Sequence, residues 1–302
     1  MRYLIKFSIR QLDVFLRTAR TENISQAAEQ LAMSQSAASN ALKDLEGRYG
    51  VKLFDRIGKR LQLSDTGRAL RASAQGVLDA AEQFDMELSG QPTHTRLSVG
   101  ASLTIGNYLA VDIVADHLQR LPTADVRLHV ANTEQIARGI LNFELDVGLI
   151  EGEVQNKYLE CIRWQDDELL VFAAPSHPLA GKSSLTDEDL LAATWILREP
   201  GSGTRQTFDR AMGGLLPDLK VFMQLEHTEA IKRAVESNLG LGCLSAVSLA
   251  PALARGDICV LPVPHRDMRR HFYFALHKQR QRGEAINEWL ASCRQATSKE
   301  TA

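Results

Sequence analysis

A chain of 302 residues, 44% hydrophobic and 24% charged with 20 Gly and 9 Pro, is long enough for two or three domains and excludes disordered, collagen-like and membrane-spanning classes. The net charge is only −2, but residues 1–71 hold 13 basic against 7 acidic side chains, so this segment carries +6 and the remainder −8. A basic head on an acidic body predicts a nucleic-acid module joined to a second function.

Arg2, Lys6, Arg10, Asp13 and Arg17 interrupt any apolar run long enough for a secretory signal, so a cytoplasmic location is expected. Cys161, Cys243, Cys259 and Cys293 lie far apart with no C-x-x-C pair, which predicts reduced core thiols and no metal or disulfide framework.

Ile9, Leu12, Phe15, Leu16 and Ala19 recur at helical spacing and predict a first helix, broken at Thr21-Glu22-Asn23. Ser25 is expected to cap a second, short helix in which Ala27 and Ala28 are small enough for another helix to cross closely. After a turn through Ala32 and Met33, a third helix is predicted from Ser34 to about Tyr49, with Ala38, Leu42, Leu45 and Tyr49 on its apolar side. Ser34, Gln35, Ser36, Ser39, Asn40 and Lys43 cluster towards the other side of its first turns. Two short helices and a tight turn make a helix-turn-helix, in which Gln and Asn pair with base edges and Lys43 suits a phosphate. Polar solvation of an exposed helix would look the same, and the neighbouring segment decides between them. Val51 to Arg56, a turn at Gly58, and Leu61 to Leu63 read as a hairpin whose Arg56, Lys59 and Arg60 suit phosphate or minor-groove contact. This is a wing.

Ala27-Ala28, Leu31, Ser34-Gln35-Ser36-Ala37, Ser39, Leu42, Leu45-Glu46, Gly50, Leu53-Phe54-Asp55-Arg56 and Thr66-Gly67 resemble the N-terminal signature of LysR-type transcriptional regulators. The resemblance implies a winged helix-turn-helix over residues 1–64, a linker helix over 65–90 and an effector-binding domain over 91–302. It also implies assembly as a dimer and tetramer and action on the transcription machinery at a promoter.

Ser64 can cap the linker helix to about Leu88, along which Leu70, Ala74, Val77, Ala81, Phe84 and Leu88 alternate four and three residues apart. That spacing is a heptad seam and predicts a homodimer, so the double-stranded DNA target is expected to hold an imperfect inverted repeat. Gly90-Gln91-Pro92 ends the helix.

Beyond the linker, strand-like and helical stretches alternate. Strands are expected at Arg96 to Gly100, Asp125 to Val130, Asp146 to Ile150, Glu168 to Ala174, Trp195 to Leu197, Val221 to Leu225 and Phe272 to Leu276. Helices are expected near Tyr108 to Leu121, Glu134 to Phe143, Asp187 to Ala192, after Gly203, at Glu229 to Ser237 and at Glu284 to Arg294. The pattern predicts an α/β fold with a mainly parallel sheet. It is similar to the two-subdomain, periplasmic-binding-protein-like effector domain of LysR-type regulators, with subdomain I at about 93–165 and 265–296 and subdomain II at about 166–264.

Ser102-Leu103-Thr104 and Ser202-Gly203-Thr204 each lead from a strand into a helix, offering hydroxyls and backbone N–H groups at the positive end of a helix dipole. Plain helix capping is the alternative reading of either loop alone. Together they predict a seat for a small anion that needs no buried Arg. Glu151, just past a strand end, would repel an anionic ligand unless a proton is shared or His227 is protonated beside it. His227 could equally cap its helix. Both loops are similar to the branch of the family that responds to sulfur oxyanions, which implies sulfite or sulfate as effector; an organic acid is the alternative.

An enzyme is not expected, since no G-x-S-x-G, G-x-x-x-x-G-K-[ST], G-x-G-x-x-G or H-E-x-x-H occurs, nor are a cofactor, a metal or a membrane partner. His271 and His277 lack a third ligand nearby. A solute-binding protein would share the α/β body but would need a signal peptide and no basic head.

Overall fold

The computed structural model describes residues 5–57, 60–89, 96–280 and 282–300. They form two compact units, the described residues up to 89 with 279–280, and those of 96–278 with 282–300.

The first unit contains α1 (Ile9–Thr21), α2 (Ile24–Gln30), α3 (Gln35–Tyr49), the antiparallel hairpin β1 (Phe54–Ile57) and β2 (Arg60–Leu63), and α4 (Asp65–Leu88). Its core joins Val14, Phe15 and Leu16 of α1 to Ala38, Leu42 and Leu45 of α3, with Phe15 set edge-on against Phe54 at 5.7 Å. Ile9 falls outside this core and is exposed, while Val14 is fully buried. Tyr49 is exposed too, its hydroxyl accepting the Lys6 N–H at 3.2 Å. The cap of α2 is Asn23 rather than Ser25. Its extended backbone brings Oδ1 to the N–H groups of Ser25 at 2.9 Å and Gln26 at 3.4 Å, which places Ser25 inside the helix.

Ser64 caps α4 as its position suggests, accepting the Gly67 N–H at 3.0 Å and donating to the Lys52 carbonyl at 2.6 Å. Gly67 is a steric requirement here, since a Cβ would lie 2.1 Å from the Leu53 carbonyl oxygen. Ala74 and Leu78 of α4 close the core of the head, so Ala74 is spent inside its own unit and does not belong to a free seam.

The second unit runs β3 (Arg96–Ser102), α5 (Leu103–Tyr108), α6 (Ala110–Arg120), β4 (Asp125–Ala131), α7 (Thr133–Leu141), β5 (Val147–Glu151), β6 (Leu159–Ala173), α8 (Asp187–Ala192), β7 (Thr194–Arg198) and α9 (Gly203–Met212). After a 3₁₀ turn come β8 (Lys220–Leu225), α10 (Thr228–Glu236), β9 (Leu241–Ser245), α11 (Ala246–Arg255), β10 (Cys259–Val260), β11 (Arg269–His277) and α12 (Glu284–Glu300). The helix expected near Tyr108 to Leu121 is α6, and the residues just before it form a separate short helix, α5, with Leu109 between the two.

One sheet threads both lobes in the order β4-β3-β5-β11-β6-β9-β7-β8, with β10 on β6. β3 runs parallel to β4 and β5, and β7 runs parallel to β8 and β9. The centre is antiparallel, because the chain crosses between the lobes once along β6 and returns along β11. The sheet is therefore parallel only in its two outer thirds. Each lobe has its own core, around Phe272, Phe274 and Trp289 in the first and around Trp195 and Phe208 in the second. No helix among the described residues is long and apolar enough to cross a membrane.

Candidate DNA interface and effector site

The helix-turn-helix presents one edge of α3. Ser34 is committed to capping, accepting the Ala37 N–H at 3.2 Å, and its oxygen lies 3.0 Å from that of Ser36. Gln35, Asn40 and Lys43 are exposed and Ser39 is half-buried, and none has a hydrogen-bond partner among the described residues. Ala38, Leu42 and Leu45 hold the opposite face in the core. The helix thus buries what it needs for stability and leaves its amide and hydroxyl donors unspent, the state that base-edge recognition requires. The Leu61 N–H donates to the Glu22 carbonyl at 3.0 Å, tying the hairpin to the end of α1. Arg56 on β1 and Arg60 on β2 are exposed, while Lys59 lies outside the described residues.

In the body, the two hydroxyl-bearing loops meet at one atom group, the carboxylate of Glu151. The N–H of Thr104, in the first turn of α5, donates to Glu151 Oε1 at 2.7 Å. From the other lobe the Thr204 hydroxyl donates to Oε2 at 2.9 Å. Ser102 Oγ accepts the Glu151 N–H at 3.1 Å and the Thr133 hydroxyl donates to the Glu151 carbonyl at 3.0 Å, so the residue is fixed at backbone as well as side chain. Ser202 caps α9 through the Arg205 N–H at 3.4 Å. Gly203 packs so tightly on the end of β5 that a Cβ there would stand 1.9 Å from the Glu151 carbonyl oxygen.

The compensating charge is Arg270, contrary to the expectation that no buried Arg takes part. Its side chain is 1% exposed; Nη1 donates to Glu151 Oε2 at 2.8 Å and to Thr204 Oγ1 at 3.0 Å, and Nε donates to Asp167 Oδ2 at 2.6 Å. The Ser245 hydroxyl completes the Asp167 shell at 2.7 Å, and Nη2 of Arg270 is buried without a partner among the described residues. Burial alone would raise the Glu151 pKa, but the Arg270 and Arg198 guanidiniums and the hydrogen bonds from Thr104 and Thr204 outweigh it and bring it down to about 2. Glu151 is therefore a carboxylate without help from His227, which lies exposed at the N-cap of α10 and makes no side-chain cap bond.

Arg270 and Asp167 were not singled out from the sequence. The available signal was strand alternation: Arg270 shares its face of β11 with the buried Phe272 and Phe274. No group of three or more His, Cys, Asp or Glu among the described residues is placed to hold a metal.

A winged helix-turn-helix and a two-lobed α/β body with a charge network between the lobes define a regulator that couples DNA binding to an effector domain. Residues 9–68 match the bacterial regulatory helix-turn-helix proteins of the lysR family, and residues 90–298 match the LysR substrate binding domain. The chain belongs to the LysR-type transcriptional regulators, a family of DNA-binding regulators and not of enzymes. It is 38% identical over 286 residues to the uncharacterized HTH-type transcriptional regulator YeiE of Escherichia coli K12, covering 95% of this chain and 97% of that one. A full-length, singly substituted OxyR of Pseudomonas aeruginosa shares the fold, with a TM-score of 0.70 at 24% identity and 96% of each chain covered. The regulatory domain of Synechocystis PCC6803 CcmR, solved in complex with 2-PG, has a TM-score of 0.63 at 28% identity and covers 67% of this chain and 97% of that one.

Proposed function

We propose that the chain is a cytoplasmic regulator of the sulfur-oxyanion branch that binds an imperfect inverted repeat as a dimer, or a tetramer built from dimers, and acts on the transcription machinery in response to sulfite or sulfate. The observation that carries the effector reading is the convergence of donors from both lobes, the Thr104 N–H and the Thr204 hydroxyl, on one carboxylate, that of Glu151, at 2.7 and 2.9 Å. Among the described residues further donors beside it have no partner: the Ser102 and Thr104 hydroxyls and the backbone N–H groups of Gly203 and Thr204 on the two loops, and the buried Nη2 of Arg270 on β11.

The ionised groups nearest the seat are Arg270 and Arg198 against Glu151, Asp167 and Glu199, the last paired with Arg198 at 2.8 Å. Their balance is −1, so a ligand that can carry a proton near neutral pH, as sulfite can, is favoured over a full dianion such as sulfate. The competing reading is an organic acid whose carboxylate uses these donors while its skeleton fills the cleft. Calorimetry on the full chain separates them. Saturable sulfite heat is expected, weakened at least about tenfold in Thr104→Ala, which removes a hydroxyl free to bond the charged ligand, and weakened also in Thr204→Ala, which releases the Glu151 carboxylate beside it. Heat from organic acids alone would sink the oxyanion.

For the head, Ser39→Ala and Gln35→Ala are expected to reduce discrimination between operator and unrelated DNA by about tenfold, whereas Arg56→Ala weakens both by similar factors and flattens the salt dependence. A gel-shift series in which Arg56→Ala altered sequence preference and Ser39→Ala did not would reverse these roles.

A further inference from the structure

On α5, Thr104 lies in the first turn and Tyr108 one helical turn further on, so the two share a side of the helix. Thr104 serves the anion seat. Tyr108 makes a separate set of contacts. Its hydroxyl donates to Glu229 of α10 and accepts from the Lys232 ammonium at 3.1 Å. Lys232, only 6% exposed, spends its other two protons on the Ser248 carbonyl of α11 at 3.2 Å and on Glu229 Oε1 at 2.6 Å, and it stands 5.3 Å from the centre of the Tyr108 ring. Three donor bonds thus reach three helices, one in the first lobe and two packed in the second. Burial and the Glu229 carboxylate raise the Tyr108 pKa, so the phenol stays a donor at any physiological pH.

Glu229 is 65% exposed, so this cluster reaches solvent, whereas the groups around Glu151 are fully buried. Along an α-helix four residues advance about 6 Å. A ligand seated at Thr104 therefore meets the Tyr108 ring and the Lys232 ammonium after little more than its own first few atoms.

From this arrangement we infer that Tyr108, Lys232 and Glu229 form a clasp across the cleft that sets the length of the effector, admitting a single small oxyanion and shutting out acids with a carbon skeleton. The inference rests on the seat proposed above, but the clasp can be tested without it. Tyr108→Phe keeps the ring under Lys232 and removes the hydroxyl that joins the lobes; Glu229→Gln removes the counter-charge of the buried ammonium and keeps an acceptor.

Full-length wild type, Tyr108→Phe and Glu229→Gln are compared by hydrogen exchange without ligand and by calorimetry with sodium sulfite and with malate. In both variants, amide exchange over residues 103–108 and 228–236 is expected to rise at least about tenfold with no ligand present. Sulfite affinity should stay within about threefold, and malate, silent with the wild type, should bind measurably. Unchanged exchange together with no gain of malate overturns the clasp even if sulfite binds. Faster exchange with malate gained, but no sulfite heat from any chain, upholds the clasp and removes the oxyanion seat instead. Tight malate binding to the wild type overturns the length limit outright.

Discussion

Arg270→Gln is expected to destabilise the effector unit by about 3–5 kcal/mol, because it strands two buried carboxylates, Glu151 and Asp167, whose shared counter-charge is that one guanidinium. Urea denaturation followed by the fluorescence of Trp164, Trp195 and Trp289, all in this unit, reads the loss directly. The triple change Arg270→Gln, Glu151→Gln and Asp167→Asn removes charge and counter-charge together and should recover most of it. An Arg270→Gln chain as stable as the wild type would mean that the carboxylates are compensated by other groups and that the network is not what joins β5, β6 and β11.

The same network sets a pH dependence. Glu151 is held at about 2 in the folded chain against an ordinary value of 4.5, so its contribution is fully present above about pH 4.5 and is lost as the pH falls towards 2. Denaturation midpoints taken between pH 6 and pH 3 should therefore fall more steeply for the wild type than for Glu151→Gln. Equal slopes would place the acid sensitivity elsewhere.

The head was legible because its signals are local. A cap, an apolar period and a run of small residues each sit within one helix, and the segment Ser34 to Tyr49 folds as one piece. Where the reading failed, a neighbour in space decided the outcome. Ala74 has the spacing of a seam residue, yet the head claims it, and nothing within α4 itself distinguishes it from Val77. In the body, the first part of β6 went unread because Leu159 to Gln165 alternates weakly, with most of its side chains only half-buried. α11 was obscured by Pro251, which the helix tolerates.

The charge network around Glu151 was half legible. Both loops and Glu151 could be named from strand-to-helix turns, but the partner of Glu151 lies 119 residues away, and only the pairing of β11 with β5 and β6 brings it there. Lys232 was hidden in a similar way. It shares the buried face of α10 with Thr228, Ile231 and Val235, a phase that an isolated sequence assigns to apolar side chains.

On α4 the folded head leaves Leu70, Val77, Phe84 and Leu88 between 40% and 70% exposed, with Ala81 half-buried among them. These side chains are the expected heptad positions less the one that packs inward, and isolated exposure of so many large apolar groups along one helix is what a second copy would relieve. Val77→Glu should therefore spare the fold of the single chain, where the side chain already meets water, and act on the pair. A carboxylate closed into the apolar seam without a partner costs roughly 3 kcal/mol or more, about a hundredfold in dimer affinity. Operator binding should fall with it, since a single head loses the second half-site that the dimer brings into reach. Sedimentation and gel-shift titrations on the same full-length preparation decide the matter: parallel losses place dimerisation on this seam, whereas lost DNA binding with unchanged assembly would leave α4 only the task of orienting the head.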